Sequence, residues 1–179
     1  MRTAPLLMSA ALIGFFGLST GPSIDGASPE PDPAVRIGVY DNRPIAIAFG
    51  HSEYNPVWEK LESRRQAAEA GDDARVAELN VWGESFQRRL HFQVFGRYPV
   101  DDLLAHVEDQ LPALAERLDL DAIVWICDYH GPAVETVDVT ADLVALFDVS
   151  DEQALEWTTQ IRDVDVVDLD TLVGLSPDE

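Results

Sequence analysis

From Val35 to Tyr40 the chain reads V-R-I-G-V-Y, alternating with the period of two that gives a strand one buried face. Asp41-Asn42-Arg43-Pro44 is turn chemistry, and Ile45 to Phe49 then fits either a strand or a helical turn ending at Gly50. Val57 to Ala70 is rich in Glu, Arg, Gln and Ala, which suits an exposed helix. Gly71-Asp72-Asp73 ends that helix and offers an N-cap for the next. From Ala74 to Phe95, Val76, Leu79, Trp82, Phe86, Leu90 and Val94 recur every three or four positions as one helical stripe. Two helices across a tight turn make a helical hairpin.

Asp101 can cap a third helix carrying Leu103, Leu104, Val107, Leu111, Leu114 and Leu118, with a kink or break expected at Pro112. Ala122 to Cys127 is a continuous apolar run, suited to a strand covered on both faces, and Val134 to Val139 alternates as another. Thr140 is placed to cap a short helix. Ser150 and Gln153 form a capping-box pattern for a further helix with Ala154, Trp157 and Ile161 inside. The acid-rich stretch from Asp163 to Asp170 fits an edge strand or a short helix. The expected class is α+β: a small β head with strands near 35–40, 122–127 and 134–139, an inserted helical hairpin and C-terminal helices.

The amino end adds an address. Residues 1–19 have the layout of a cleavable secretory signal, with Arg2 before the uncharged run Leu6 to Leu18 and small residues near the cut. The run is shorter than the ~20 apolar residues that span a bilayer. Residues 20–34, rich in Pro, Gly, Ser and acid, read as a flexible linker. Head and hairpin then occupy 35–149, and a C-terminal helix with an acidic tail occupies 150–179. The expected location is the periplasm or the extracellular space.

Charge narrows the partners. The net charge is −21, and from Leu118 onward 16 acidic residues face Arg162 alone. Such a field disfavours nucleic acid and strong binding to anionic membrane, and it is also the composition that salt adaptation selects. Cys127 is the one cysteine, so no internal disulfide forms, and its apolar setting suits a small buried hydrophobe. Cys127-Asp128-Tyr129-His130 is the densest group of reactive types, but strand alternation would put Cys127 and Asp128 on opposite faces. His51, His91, His106 and His130 form no zinc spacing, and Asp163, Asp165, Asp168 and Asp170 lack the glycine-bearing spacing of a calcium loop. No catalytic, cofactor or metal residue is assigned. Trp58, Trp82, Phe86, Phe92 and Phe95 concentrate on the hairpin, as its packing or as candidate client or partner contacts.

Two segments carry a resemblance. Arg36 to Asp41 (R-I-G-V-Y-D) and Asp138 to Val144 (D-V-T-A-D-L-V), with Asp121-Ala122-Ile123-Val124 between them, resemble the periplasmic chaperones of the Skp/OmpH type over roughly Val35 to Val149. The resemblance implies a homo-oligomer, a trimer in that family, whose helical coiled-coil arms hold unfolded envelope proteins without ATP. This chain has far shorter arms, a strongly acidic surface and an extension from Ser150 to Glu179. The reading is an exported, non-enzymatic holding protein. The alternatives are an exported enzyme or ligand-binding domain with an unrecognised site, and a salt-adapted structural envelope protein.

Overall fold

The computed structural model describes residues 35–174; the signal-like segment 1–19, the linker 20–34 and residues 175–179 lie outside the described residues. The fold mixes helices and strands. Strand β1 (Val35–Val39) is followed by helices α1 (Asn42–Gly50), α2 (Val57–Ala70), α3 (Asp73–Phe95), α4 (Asp101–Leu104) and α5 (Leu111–Leu118). Strands β2 (Ala122–Val124) and β3 (Val134–Asp138) come next, then α6 (Thr140–Ala145), α7 (Glu152–Gln160) and α8 (Leu169–Gly174). The three strands form one sheet in the order β2-β1-β3, parallel throughout.

In a parallel sheet, residues in register project to the same face. Gly38, Ile123 and Val137 are in register, and the helix-side core collects Ile123 and Val137 together with Tyr40, Val139 and Trp125. Val39, Val124 and Asp138 share the other face. On that face Val39 and Val124 stay half-buried and Asp138 is exposed. The apolar run expected to be covered on both faces is only half-buried along β2, on the helix side as on the other. It also ends as a strand at Val124 rather than Cys127, because the chain must leave the sheet to reach the start of parallel β3.

The core is organised around α1. The segment that could have been strand is helix because Asp41 accepts a hydrogen bond from the Arg43 amide as N-cap, and Pro44 falls in the first turn, where its missing N–H costs nothing. Ile45, Ala46, Ala48 and Phe49 are buried, and α1 packs against α3, α6 and α7. A helix enclosed on several sides needs apolar residues around its circumference rather than on one stripe. Each large side chain so buried contributes about 1.5–3 kcal/mol.

Asn42 ties the elements to this helix. Its Nδ2 donates to Gln93 O (2.7 Å) and Gly96 O (3.0 Å), and its Oδ1 accepts from Trp125 Nε1 (3.2 Å). One buried amide thus joins α1, the end of α3 and the segment after β2. At the opposite edge of the sheet, Arg36 donates to Leu118 O (2.8 Å) and to Glu135 Oε2 (2.9 Å), while its amide donates to Asp121 Oδ2 (2.8 Å).

Several local expectations shift by a residue or a turn. The third helix starts after Val100 rather than on an Asp101 cap, with Asp101 in its first turn. It breaks at a 3₁₀ segment, Ala105–Gln110, where Val107 leaves helical geometry (φ −124°), and Pro112 then begins α5, a position where proline is tolerated. Asp151, not Ser150, caps α7, accepting from the Gln153 (2.9 Å) and Ala154 (3.4 Å) amides. Its buried residues are Ala154 and Thr158, with Ile161 buried just past its end, and Trp157 lies 42% exposed against the His51 ring. Strands β1 and β3 end at Val39 and Asp138, one residue short of the limits expected, and Thr140 opens α6 rather than capping it. The acidic tail forms a 3₁₀ turn (Ile161–Asp163) and α8 instead of an edge strand.

The weight of Asn42 is testable. Asn42→Ala strands two carbonyls and an indole N–H in a buried site, so stability should fall by about 2–4 kcal/mol. Urea unfolding followed by circular dichroism measures it; a loss below about 1 kcal/mol would show that the bridge is dispensable.

Candidate functional site

The carboxyl ends of parallel strands are where open sheets gather ligands, because the loops leaving them diverge. Here that edge is charged and tightly paired. Arg43, with its side chain 7% exposed, donates through Nη2 to Asp41 Oδ2 (2.7 Å), through Nε to Asp41 Oδ1 (3.1 Å) and through Nη1 to Val164 O (2.7 Å). The Asp41 amide donates to Thr140 Oγ1 (3.0 Å), and the Thr140 hydroxyl donates to Asp138 Oδ1 (2.6 Å). Arg162 Nη2 completes the chain on Asp138 Oδ2. The ends of β1 and β3 are thereby joined to each other and to the segment after α7.

Partial burial works to raise the pKa of Asp138, but hydrogen bonds from the Thr140 hydroxyl and amide and from Arg162 outweigh it, and the carboxyl lies below its ordinary range. Asp138 is therefore a fixed anion at neutral pH, as is fitting for a structural acceptor. Tyr40 moves the other way. Burial, then the negative charge of Asp101, pushes its phenol up to about 12.

These residues wall a cavity of about 440 Å³. The segment after β2 supplies Trp125, Ile126, Cys127 and His130, the sheet supplies Val39 and Thr136, and Arg97 enters from beyond the end of α3. Cys127 is thus half-buried in a loop rather than placed in a strand. Its thiol approaches Tyr129 O (3.5 Å), and His130 Nδ1 faces Gly131 O (3.3 Å), so the two are not hydrogen-bonded as nucleophile and base. Among the described residues no group of three or more His, Cys, Asp or Glu side chains is arranged to hold a metal ion.

The aromatic residues singled out on the hairpin fall into four places. Trp82 and Phe86 stack (centroids 5.1 Å apart, planes at 18°) and line a groove of about 490 Å³ between α2 and α3. Trp58 is 78% exposed and lies outside that groove. Phe92 packs on Tyr98 (5.7 Å) at the base of α3. Phe95, 40% exposed, lines a separate hollow with Ile47, Trp157 and Val164. The hairpin itself closes through Gly71, whose φ of 71° is the left-handed turn that favours glycine, and Asp72 caps α3 by accepting from the Arg75 amide (3.0 Å). Along α2 only Ala67 is buried, and along α3 only Leu79 and Gln93. The stripe read from the sequence exists, but most of it remains half-open.

Compared with protein-family models, curated proteins and solved structures, the chain matches none.

Sequence reasoning missed Asn42, Arg43, Arg97, Asp138, Thr140 and Arg162. The available signal was a carboxylate at the end of each of two strands, Asp41 and Asp138, each followed by a helix start. What could not be read is that the two strands lie side by side.

The shifted tyrosine gives a pH test. An unfolded phenol titrates near 10 and folded Tyr40 near 12, so between these values the unfolded chain loses its proton first and stability falls as pH rises. Denaturation of the protein between pH 10 and 12 should show an added loss on the order of 2 kcal/mol that Tyr40→Phe removes. Parallel pH profiles for the two proteins would argue against the buried phenol.

Proposed function

We propose that this chain is an exported, non-enzymatic holding protein that keeps unfolded envelope proteins soluble by taking their apolar segments into the α2–α3 groove. The observation that carries the reading is a hairpin with almost no buried core of its own. Its apolar stripe (Val57, Leu61, Leu79, Trp82, Phe86 and Leu90) lines an open groove instead of a sealed interface. Contiguous apolar surface of this kind marks an interaction site rather than an ordinary exterior.

Charge favours the same occupant. Lys60 and Arg64 line the groove against Glu84 alone, in a chain whose net charge is −21. Lys60 Nζ sits 5.9 Å from the Trp82 ring centroid, which leaves its stem along the apolar wall. An apolar segment carrying flanking acid therefore meets the least repulsion there. The resemblance of Arg36–Asp41 and Asp138–Val144 to Skp/OmpH chaperones supports the reading, and with it a small β head that self-associates, as a trimer in that family. Location in the periplasm or outside the cell belongs to the same proposal.

An outer-membrane protein diluted from urea supplies the assay. At several-fold excess the protein should suppress light scattering from the aggregating client, and Trp82→Ala/Phe86→Ala should lose most of that effect. Trp58→Ala, outside the groove, should keep it. No suppression by the unaltered protein sinks the holding role, and a stable monomer by static light scattering removes the clamp of several hairpins.

A second reading, a ligand-binding domain, is favoured by a different observation: the cavity at the carboxyl edge of the sheet lined by both Cys127 and His130.

A further inference from the structure

We propose that the cavity at the carboxyl edge of the sheet binds a small organic acid, its carboxylate on Arg97 and its apolar body against Trp125, Ile126, Val39 and Val166. The inference rests on the ligand-binding reading and is independent of the hairpin groove.

Charge accounting inside the cavity leads to this ligand. Its walls carry three guanidinium groups, Arg43, Arg97 and Arg162, and two carboxylates, Asp41 and Asp138. Asp41 is taken by Arg43 and Asp138 by Arg162. Arg97 remains, and among the described residues it has no ion pair and no hydrogen bond. Arg88 of α3 is likewise without an ion pair or hydrogen bond among the described residues, but it lies outside this cavity. Arg97 instead faces a cavity whose carboxylates are already engaged.

Its placement is also held from behind. Phe95 O accepts from the Val167 amide (2.9 Å), and Gly96 O accepts from Asn42 Nδ2 (3.0 Å), so the backbone leading to Arg97 is tied to two other elements. Gly96 is closely surrounded: a Cβ there would stand 2.8 Å from Leu169 Cδ2, 2.9 Å from Leu172 Cδ1 and 3.0 Å from Phe92 O, so the two leucine side chains would have to shift. A charged side chain projecting from a fixed base into a partly apolar cavity is the form of an orienting group in a ligand pocket.

The remaining walls exclude other classes. A cation finds no free carboxylate among the lining residues. A phosphate or larger polyanion would meet a single unpaired guanidinium in a strongly negative molecule, which is too little to offset the field. The apolar wall would also be wasted on it. A volume of about 440 Å³ lies in the range of small-molecule sites and exceeds what a carboxylate alone would fill. Thr136 lines the cavity on the sheet side.

Isothermal titration of the protein at neutral pH and low salt tests this with benzoate and indole-3-acetate as acids. Benzamide, benzylamine and inorganic phosphate serve as comparisons. The acids should bind, with benzamide about tenfold or more weaker, because a charge-assisted contact to guanidinium is lost. Arg97→Ala should reduce benzoate to the benzamide level, and Arg97→Lys should restore part of the difference. Arg97 is exposed and makes no contact that folding needs, so these variants should retain the native circular dichroism spectrum. Trp82→Ala/Phe86→Ala should bind benzoate as the unaltered protein does, which separates this site from the holding role. The proposal is overturned if no acid binds up to about 10 mM, if benzamide or benzylamine matches benzoate, or if Arg97→Ala binds unchanged. It is equally overturned if phosphate binds as tightly as the aromatic acids, since the apolar wall would then contribute nothing.

Discussion

A single buried amide sets the geometry on which the rest of this molecule depends. Asn42 is 3% exposed, and its three hydrogen bonds reach the last turn of α3, the residue after it, and the indole of Trp125. The two donors meet carbonyls and the acceptor meets an indole N–H, so the network fixes which way the amide faces. Buried polar groups of this kind specify one arrangement because any other leaves them unpaired. Helix α3, the segment after β2 and the start of α1 cannot be displaced independently.

The sheet that Asn42 borders is asymmetric from end to end. At its amino edge Arg36 is engaged by two carbonyls and two carboxylates. At its carboxyl edge the pairs Asp41–Arg43 and Asp138–Arg162 fix the frame and leave Arg97 over. The two faces differ as well. Helix residues pack on one, whereas the other borders the cavity walled by the segment after β2 and by Arg97, Arg162 and Val166. A parallel sheet normally hides both faces, and the shortness of the β2–β3 connection, which carries no helix, is why this one does not.

The hairpin obeys different energetics from the body. Its two helices form from local signals: capping by Asp72, the left-handed Gly71, and surface pairs such as Arg65 with Glu62 (2.6 Å) and Glu69 (2.5 Å). Exposed pairs of that kind add only ~0.3–0.5 kcal/mol each. With few fully buried side chains, the hairpin draws little stability from packing between α2 and α3, and α3 is held instead by Phe86, Leu90 and Val94 against the core.

The sequence by itself determined the elements whose signals are short-range. The strand alternation at Val35–Tyr40, the hairpin joint at Gly71-Asp72 and the stripe from Val76 to Val94 were all legible, because period and capping are properties of neighbouring residues. The mixed helix-and-strand class followed from their order. Where two local signals competed, the structure decided: Asp41 made Ile45–Phe49 a helix, and the return to β3 cut the apolar run at Val124. The parallel pairing of β1 with both β2 and β3, and the meeting of Asp41, Arg97, Thr140 and Arg162, belong to tertiary structure alone. They join residues as much as 121 positions apart, as Arg43 and Val164 are. No local period carries that information, because it arises only when the core has packed and the strands have found their register.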